Sequence, residues 1–210
     1  MKKHSLSLSF AALAAFVLWT AAVKSIDVQP IGPQNSSVGF AALNSFVHAL
    51  TGVHFSLYNI TDWLGLVPLC FMLGFAVLGL TQWIKRKSLL KVDRSILALG
   101  AFYLAVMAAY AFFESIVINY RPVLISGVLE ASYPSSTTLL VLTVMPAAAM
   151  QLKKRIRKPS FKKTMIFTID IFIVFMVMGR LLSGVHWFSD IIGGALLSAG
   201  LVGLYASAAE

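Results

Sequence analysis

A chain of 210 residues that is 59% hydrophobic and only 12% charged cannot be a water-soluble domain, because its apolar residues come in blocks of about 18 or more, enough to cross a ~30 Å hydrocarbon core. The net charge of +9 raises nucleic-acid binding, but the basic run Lys153–Lys158 lies between two apolar blocks and reads as loop charge at a membrane face, so no nucleic-acid partner is expected. The length accommodates one integral membrane domain over 1–210 and no second folded unit, and the single cysteine, Cys70, excludes an intrachain disulfide.

Along the chain, Lys2, Lys3 and His4 precede an apolar run, Leu6–Val23. A basic start, an apolar middle and the small pair Ala21 and Ala22 fit a cleaved signal peptide, but the run has spanning length and reads as a retained first helix. Lys24–Tyr58 is the longest polar excursion, with Pro30 and Pro33 breaking any early helix. Ser36 or Ser37 is placed to cap a short helix over Val38–Leu50. Phe40, Leu43, Val47 and Leu50 fall on one of its faces and Asn44, His48 and Thr51 on another, which predicts a helix lying in the membrane interface. His48 and His54 read as interface residues.

Trp63–Ile84 is the second predicted span, edged by Trp63 and Trp83 as interfacial belts prefer. Lys85, Arg86, Lys87, Lys91 and Arg94 follow. Ser95–Ile118 is the third span, closed by Arg121 and Pro122, since a residue before proline is pushed out of helical geometry. The hydroxyls of Ser135, Ser136, Thr137 and Thr138 open a fourth span that runs to Leu152, and the Lys153–Lys163 loop is strongly basic. Met165–Leu182 and Ile191–Ala208 complete the set. In the last, Ala195, Ala199, Gly203 and Ser207 recur every fourth residue, a face for close helix packing. Asp170, inside the fifth span, has no evident partner.

Sidedness follows from charge. With the amino terminus inside, every Lys and Arg except Lys24, Arg121 and Arg180 falls in an inner segment, which predicts an all-α bundle of six transmembrane helices with both termini cytoplasmic. The same topology brings three polar places to one non-cytoplasmic side: the end of span three, the start of span four and the turn between five and six.

That last turn carries Arg180, His186 and Asp190. An arginine can fork two donors onto a phosphate. A neutral imidazole can attack phosphorus through one nitrogen while a carboxylate holds the proton on the other, and Asp190 shares a face with His186 if the first turn of the next span is helical. Should Arg121 and Ser135–Thr138 converge with them, free backbone amides at a helix start complete an anion cradle. This combination suits phosphoryl transfer, where positioning and charge neutralisation do most of the work. No ligand-spaced His, Cys or carboxylate cluster is present, so no metal or other cofactor is expected.

Tyr120-Arg121-Pro122, then Tyr133-Pro134-Ser135-Ser136-Thr137, then Gly179-Arg180 through His186 to Asp190 resembles the three-part signature of the type 2 phosphatidic acid phosphatase superfamily. The third block, an arginine, five residues, a histidine, three residues and an aspartate, matches in full; the motif region is 114–190. The resemblance implies a phosphohistidine intermediate on His186 oriented by Asp190, phosphate bound by Arg121, Arg180, Ser135, Ser136 and Thr137, and metal-free hydrolysis of a lipid phosphate or diphosphate at the outer face of the cell membrane.

Two departures alter this. Glu114 stands where the family's first block has lysine, and Thr137 where its second block has the histidine that protonates the leaving oxygen. A threonine hydroxyl is far too weak an acid for that. Glu114 lies two helical turns before Arg121 and reads as its ion-pair partner, or else as a displaced acid kept protonated by burial. Because a diphosphate leaves without much help from an acid, the substrate expected is a polyprenyl diphosphate such as undecaprenyl diphosphate. The rival reading is a non-catalytic binder or transporter of lipid phosphates. Membrane lipids are the other expected partners, and the sequence is silent on oligomeric state.

Overall fold

The computed structural model describes residues 2–209, and its regular structure is helical. The elements are α1 (Lys2–Ser25), α2 (Ala41–Thr51), α3 (Phe55–Leu64), α4 (Leu66–Arg86), α5 (Arg94–Ser115), α6 (Ser136–Arg155), α7 (Pro159–Leu182) and α8 (Phe188–Ala209). Strand-like pairing among the described residues is confined to isolated bridges.

Among the described residues, five stretches are long and apolar enough to cross a membrane: Leu6–Ser25, Phe55–Arg86, Arg94–Ser115, Pro159–Leu182 and Phe188–Ala209. The protein is a multi-pass membrane protein. The fourth predicted span, α6, has the length but not the composition. It is the helix that α4, α5, α7 and α8 surround, and it buries Thr137, Thr138, Thr143 and Gln151 along with its apolar residues. Protein rather than lipid covers these polar groups, and protein supplies their partners. Thr143 donates to the Leu139 carbonyl at 2.6 Å, and Gln151 donates to the Ser95 carbonyl at 3.1 Å and to the Tyr205 hydroxyl.

The second predicted span begins earlier than expected. Phe55–Tyr58, placed in the polar excursion by sequence, already belongs to α3, which runs almost without interruption through Gly65 into α4. Thr61 turns its hydroxyl back onto the Leu57 and Tyr58 carbonyls, so its polar atom adds no demand on the surroundings. The short helix predicted over 38–50 is α2, shifted towards the carboxyl end because Phe40 adopts a left-handed conformation and Gly39 passes against the Val23 carbonyl.

α1 runs antiparallel to α8: Ser9 meets Gly203, Leu13 meets Gly200, and the Trp19 indole donates to the Ser189 carbonyl. The close contact predicted for Gly203 is therefore with α1. At the same end of the bundle, Lys154 donates to the Ala209 carbonyl, and Asp93 draws Arg86 and Arg155 together. The basic loops and both ends of the described chain thus share one end of the molecule. The other end holds α2, α3, the loop after α5, the start of α6 and the α7–α8 turn.

Candidate active site

The loop after α5 folds back on itself. Arg121 N–H donates to the Glu130 carbonyl and Ser132 N–H to the Asn119 carbonyl, around a tight turn that Ser126 and Gly127 close with positive φ. This pairing sets Arg121, Glu130 and Ser132 side by side. The α7–α8 turn is equally constrained. Gly184 sits at φ +67, and a Cβ there would lie 1.8 Å from the Gly52 carbonyl oxygen. Gly184→Ala is expected to cost about 1–3 kcal/mol through the backbone alone, with the clash added. A fall in Tm and in activity together would register it, and an unchanged Tm would contradict it.

Asn44 clasps the start of α8, donating to Ser189 Oγ at 3.0 Å and accepting the Ser189 N–H at 3.1 Å. His48, expected in the membrane interface, instead packs against Trp187, with ring centroids 5.5 Å apart and planes tilted by 49°, and bonds through Nε2 with the Gly184 carbonyl. The α2 helix docks its polar face on the α7–α8 turn because that turn offers unpaired backbone groups.

On this frame Arg121, from the loop after α5, comes together with Arg180, His186 and Asp190 of the α7–α8 turn. Arg121 donates from Nη1 to His186 Nε2 at 3.0 Å, and Arg180 donates from Nη2 to the same nitrogen at 3.1 Å. His186 Nδ1 lies 3.2 Å from the Ser132 carbonyl. A guanidinium cannot accept and a carbonyl cannot donate, so both edges of the ring require the same tautomer, with the proton on Nδ1 and the lone pair on Nε2. Burial, followed by the Arg121 and Arg180 charges, pushes the His186 pKa well below its ordinary value, which keeps the ring neutral and nucleophilic.

Asp190 was expected to hold that tautomer. Its Oδ2 lies 3.8 Å from Nδ1, beyond hydrogen-bond distance, and the Ser132 carbonyl accepts the Nδ1–H bond instead. The carboxylate accepts the Trp187 N–H at 2.9 Å, which satisfies a free amide at the start of α8, and the Asn119 amide at 3.1 Å. Asp190 faces the ring as a buried charge and fixes the turn that carries it.

At the start of α6, the Ser135 amide donates to the Asp190 carbonyl at 3.1 Å and its hydroxyl accepts from Thr138 at 3.0 Å. The Ser135 amide is therefore not a free cradle donor. The amides of Ser136, Thr137 and Thr138 occupy the first helical turn, where no intrahelical acceptor exists. Ser136, Glu114, Tyr110 and Ser132 line a small cavity that reaches His186.

Glu114 is not the partner of Arg121. Arg121 Nε lies 3.0 Å from Glu130 Oε2, and among the described residues no ion pair includes Glu114. Helical phase does not relate the two residues, because α5 ends at Ser115, six residues short of Arg121.

Sequence reasoning missed α3. Tyr58 lies under both guanidiniums, its ring centroid 4.9 Å from the Arg180 carbon and 5.9 Å from that of Arg121. Asp62 Oδ1 lies 3.7 Å from Arg180 Nη1, and Thr61 Oγ1 accepts from the same nitrogen at 3.4 Å. Arg180 is 1% exposed, so this ring, carboxylate and hydroxyl offset much of the cost of burying it. Tyr58, Thr61 and Asp62 recur at helical spacing on one face, the only signal that could have found them.

Residues 112–209 match the family model described as the PAP2 superfamily. Among solved structures, the chain is similar to the first transmembrane PAP2 type phosphatidylglycerolphosphate phosphatase from Bacillus subtilis, with a TM-score of 0.59 and 20% identity over 94% of each chain. At that identity the likeness is one of fold, and it extends through α1–α4, ahead of the family segment. No curated protein matches the chain in sequence.

Proposed function

Residues 112–209 place this chain in the PAP2 superfamily, and from that premise we propose that it is a membrane lipid phosphatase acting through a covalent phosphohistidine. The observation that carries the proposal is the lone pair of His186 Nε2 facing two guanidiniums at 3.0 and 3.1 Å. A phosphoryl group brought between Arg121 and Arg180 exchanges their contacts with the imidazole for charge-assisted bonds to its own oxygens. That leaves Nε2 free to attack phosphorus. The first-turn amides of α6, from Ser136 and Thr137, add donors to the equatorial oxygens, and the Ser135 hydroxyl supports that turn. Asp190 stabilises the charge that develops on the ring.

The substrate proposed is a lipid phosphate or, preferentially, a polyprenyl diphosphate. Thr137 supplies no acid for a departing alkoxide, whereas a departing phosphate needs little protonation. The proposed topology is six membrane-crossing helices, α6 included, with both termini cytoplasmic and the site at the outer face of the cell membrane, and the basic loops at the end opposite the site support it. The absence of an acid at Thr137 also favours the second reading, a binder or transporter of lipid phosphates.

Phosphate release by the full chain in detergent micelles, from phosphatidic acid and from a polyprenyl diphosphate, separates these readings. The expected result is turnover of the diphosphate at the higher kcat/KM, unaffected by EDTA. Turnover of monoesters alone contradicts the substrate assignment, and binding of both lipids without turnover of either establishes the transporter reading.

A further inference from the structure

Hydrolysis through a phosphoenzyme has a second half: water must attack the phosphoryl group on His186, and something must take its proton. Asp190 does not suit this task, because it is fully buried behind the ring on the Nδ1 side and its oxygens already accept from Trp187 and Asn119. Glu130 is drawn to Arg121 Nε, away from the Nη1 that meets His186.

Asp62 is differently placed. It and His186 flank one guanidinium, Asp62 Oδ1 at Arg180 Nη1 and His186 Nε2 at Arg180 Nη2. A phosphoryl group held by Arg180 therefore has an imidazole on one flank and a carboxylate on the other. The Asp62 side chain is 57% exposed, so water reaches it freely. Its helix also touches the first turn of α6 at the residue lacking acid–base capacity. A Cβ at Gly65 would lie 3.7 Å from Thr137 Cγ2, and the Gly65 amide donates to the Asp62 carbonyl at 3.0 Å. The turn that follows Asp62 thus lies against the threonine, while the Asp62 carboxylate itself reaches Arg180 from an element outside the 112–209 segment.

Resting on the phosphatase reading above, we infer that Asp62 is the general base of the dephosphorylation step. In the first step His186 Nε2 bonds to phosphorus and the leaving oxygen departs with the electron pair of the broken P–O bond. In the second, a water oxygen bonds to phosphorus, the N–P bond breaks with its electron pair returning to Nε2, and the water proton passes to the Asp62 carboxylate and then to solvent. A carboxylate at this position can take up the water proton but holds none to give a departing alkoxide. A chain with a base but no matching acid is therefore suited to a substrate whose leaving group needs no proton.

The test uses a polyprenyl diphosphate carrying 32P in its terminal phosphate, mixed with the purified full chain and quenched in alkali. Asp62→Asn is expected to lower steady-state phosphate release by roughly 10²-fold while acid-labile label accumulates on the protein towards one per chain. Asp62→Glu is expected to restore release and clear the label. Lowered release with no label accumulating means that Asp62 only positions Arg180 and overturns the inference, as does unchanged release or accumulation in Glu114→Gln instead. Wild-type protein that releases no phosphate overturns the phosphatase reading itself, and the base assignment with it.

Discussion

His186→Ala is expected to abolish phosphate release, by on the order of 10⁴-fold or more, the scale lost when a covalent nucleophile is removed. The structure gives a reason for so large an effect. Both arginines converge on Nε2, and the Ser132 carbonyl holds the proton on the opposite nitrogen, so the lone pair that both guanidiniums face is that of His186. His186→Gln is the sharper variant, since its amide can retain part of the hydrogen bonding yet cannot form the covalent intermediate. It is expected to be as inactive as the alanine while keeping the wild-type Tm within a few degrees. Activity in either variant above about one hundredth of wild type would require a different nucleophile.

Arg180→Gln and Arg121→Gln are each expected to lower kcat by roughly 10²–10³-fold, the loss typical when one preorganised donor to a developing negative charge is removed. Arg180→Lys is expected to fare little better, because an ammonium lacks the planar fork that gives two parallel bonds to phosphate while lying over the Tyr58 ring. Stability should move the other way. Two like charges share one imidazole nitrogen, and Arg180 is 1% exposed, so removing one relieves repulsion in the free protein. Inorganic phosphate binding between the pair should stabilise the wild type by about 2.7 kcal/mol at a concentration one hundred times its Kd. Thermal unfolding with and without phosphate measures this. A phosphate-dependent rise in Tm that survives Arg180→Gln undiminished would contradict the shared-anion geometry.

What could be read from the sequence was what lies close together along it. Arg180, His186 and Asp190 sit within one turn between two helices, and their spacing alone implied a common face. The convergence of Arg121 with them needed only the alternation of helices across a membrane, which charge asymmetry supplied. The tautomer was assigned to the wrong oxygen because Ser132 acts through its backbone carbonyl, which carries no side-chain signature. Glu114 was matched to Arg121 by extending a helix that in fact ends at Ser115, and past that break helical phase says nothing. Glu130, nine residues beyond Arg121, became its neighbour through a backbone turn at Ser126 and Gly127. Tyr58 and Asp62 were invisible for a related reason. Their roles depend on α3 packing against α7, and the prolines before them made the whole excursion look irregular. The six-helix count rested on apolar length, and α6 shows its limit: a helix wrapped by protein can carry threonines and a glutamine that a lipid-facing helix could not.

The central claim is that the His186 imidazole takes up the phosphoryl group. Its most direct test is to quench the protein in alkali during turnover of a 32P-labelled polyprenyl diphosphate, digest it, and locate the label by mass spectrometry. The account predicts label on His186 Nε2 in wild type and none in His186→Ala. Label on any other residue, or phosphate released with no protein-bound label in the wild type, would contradict it.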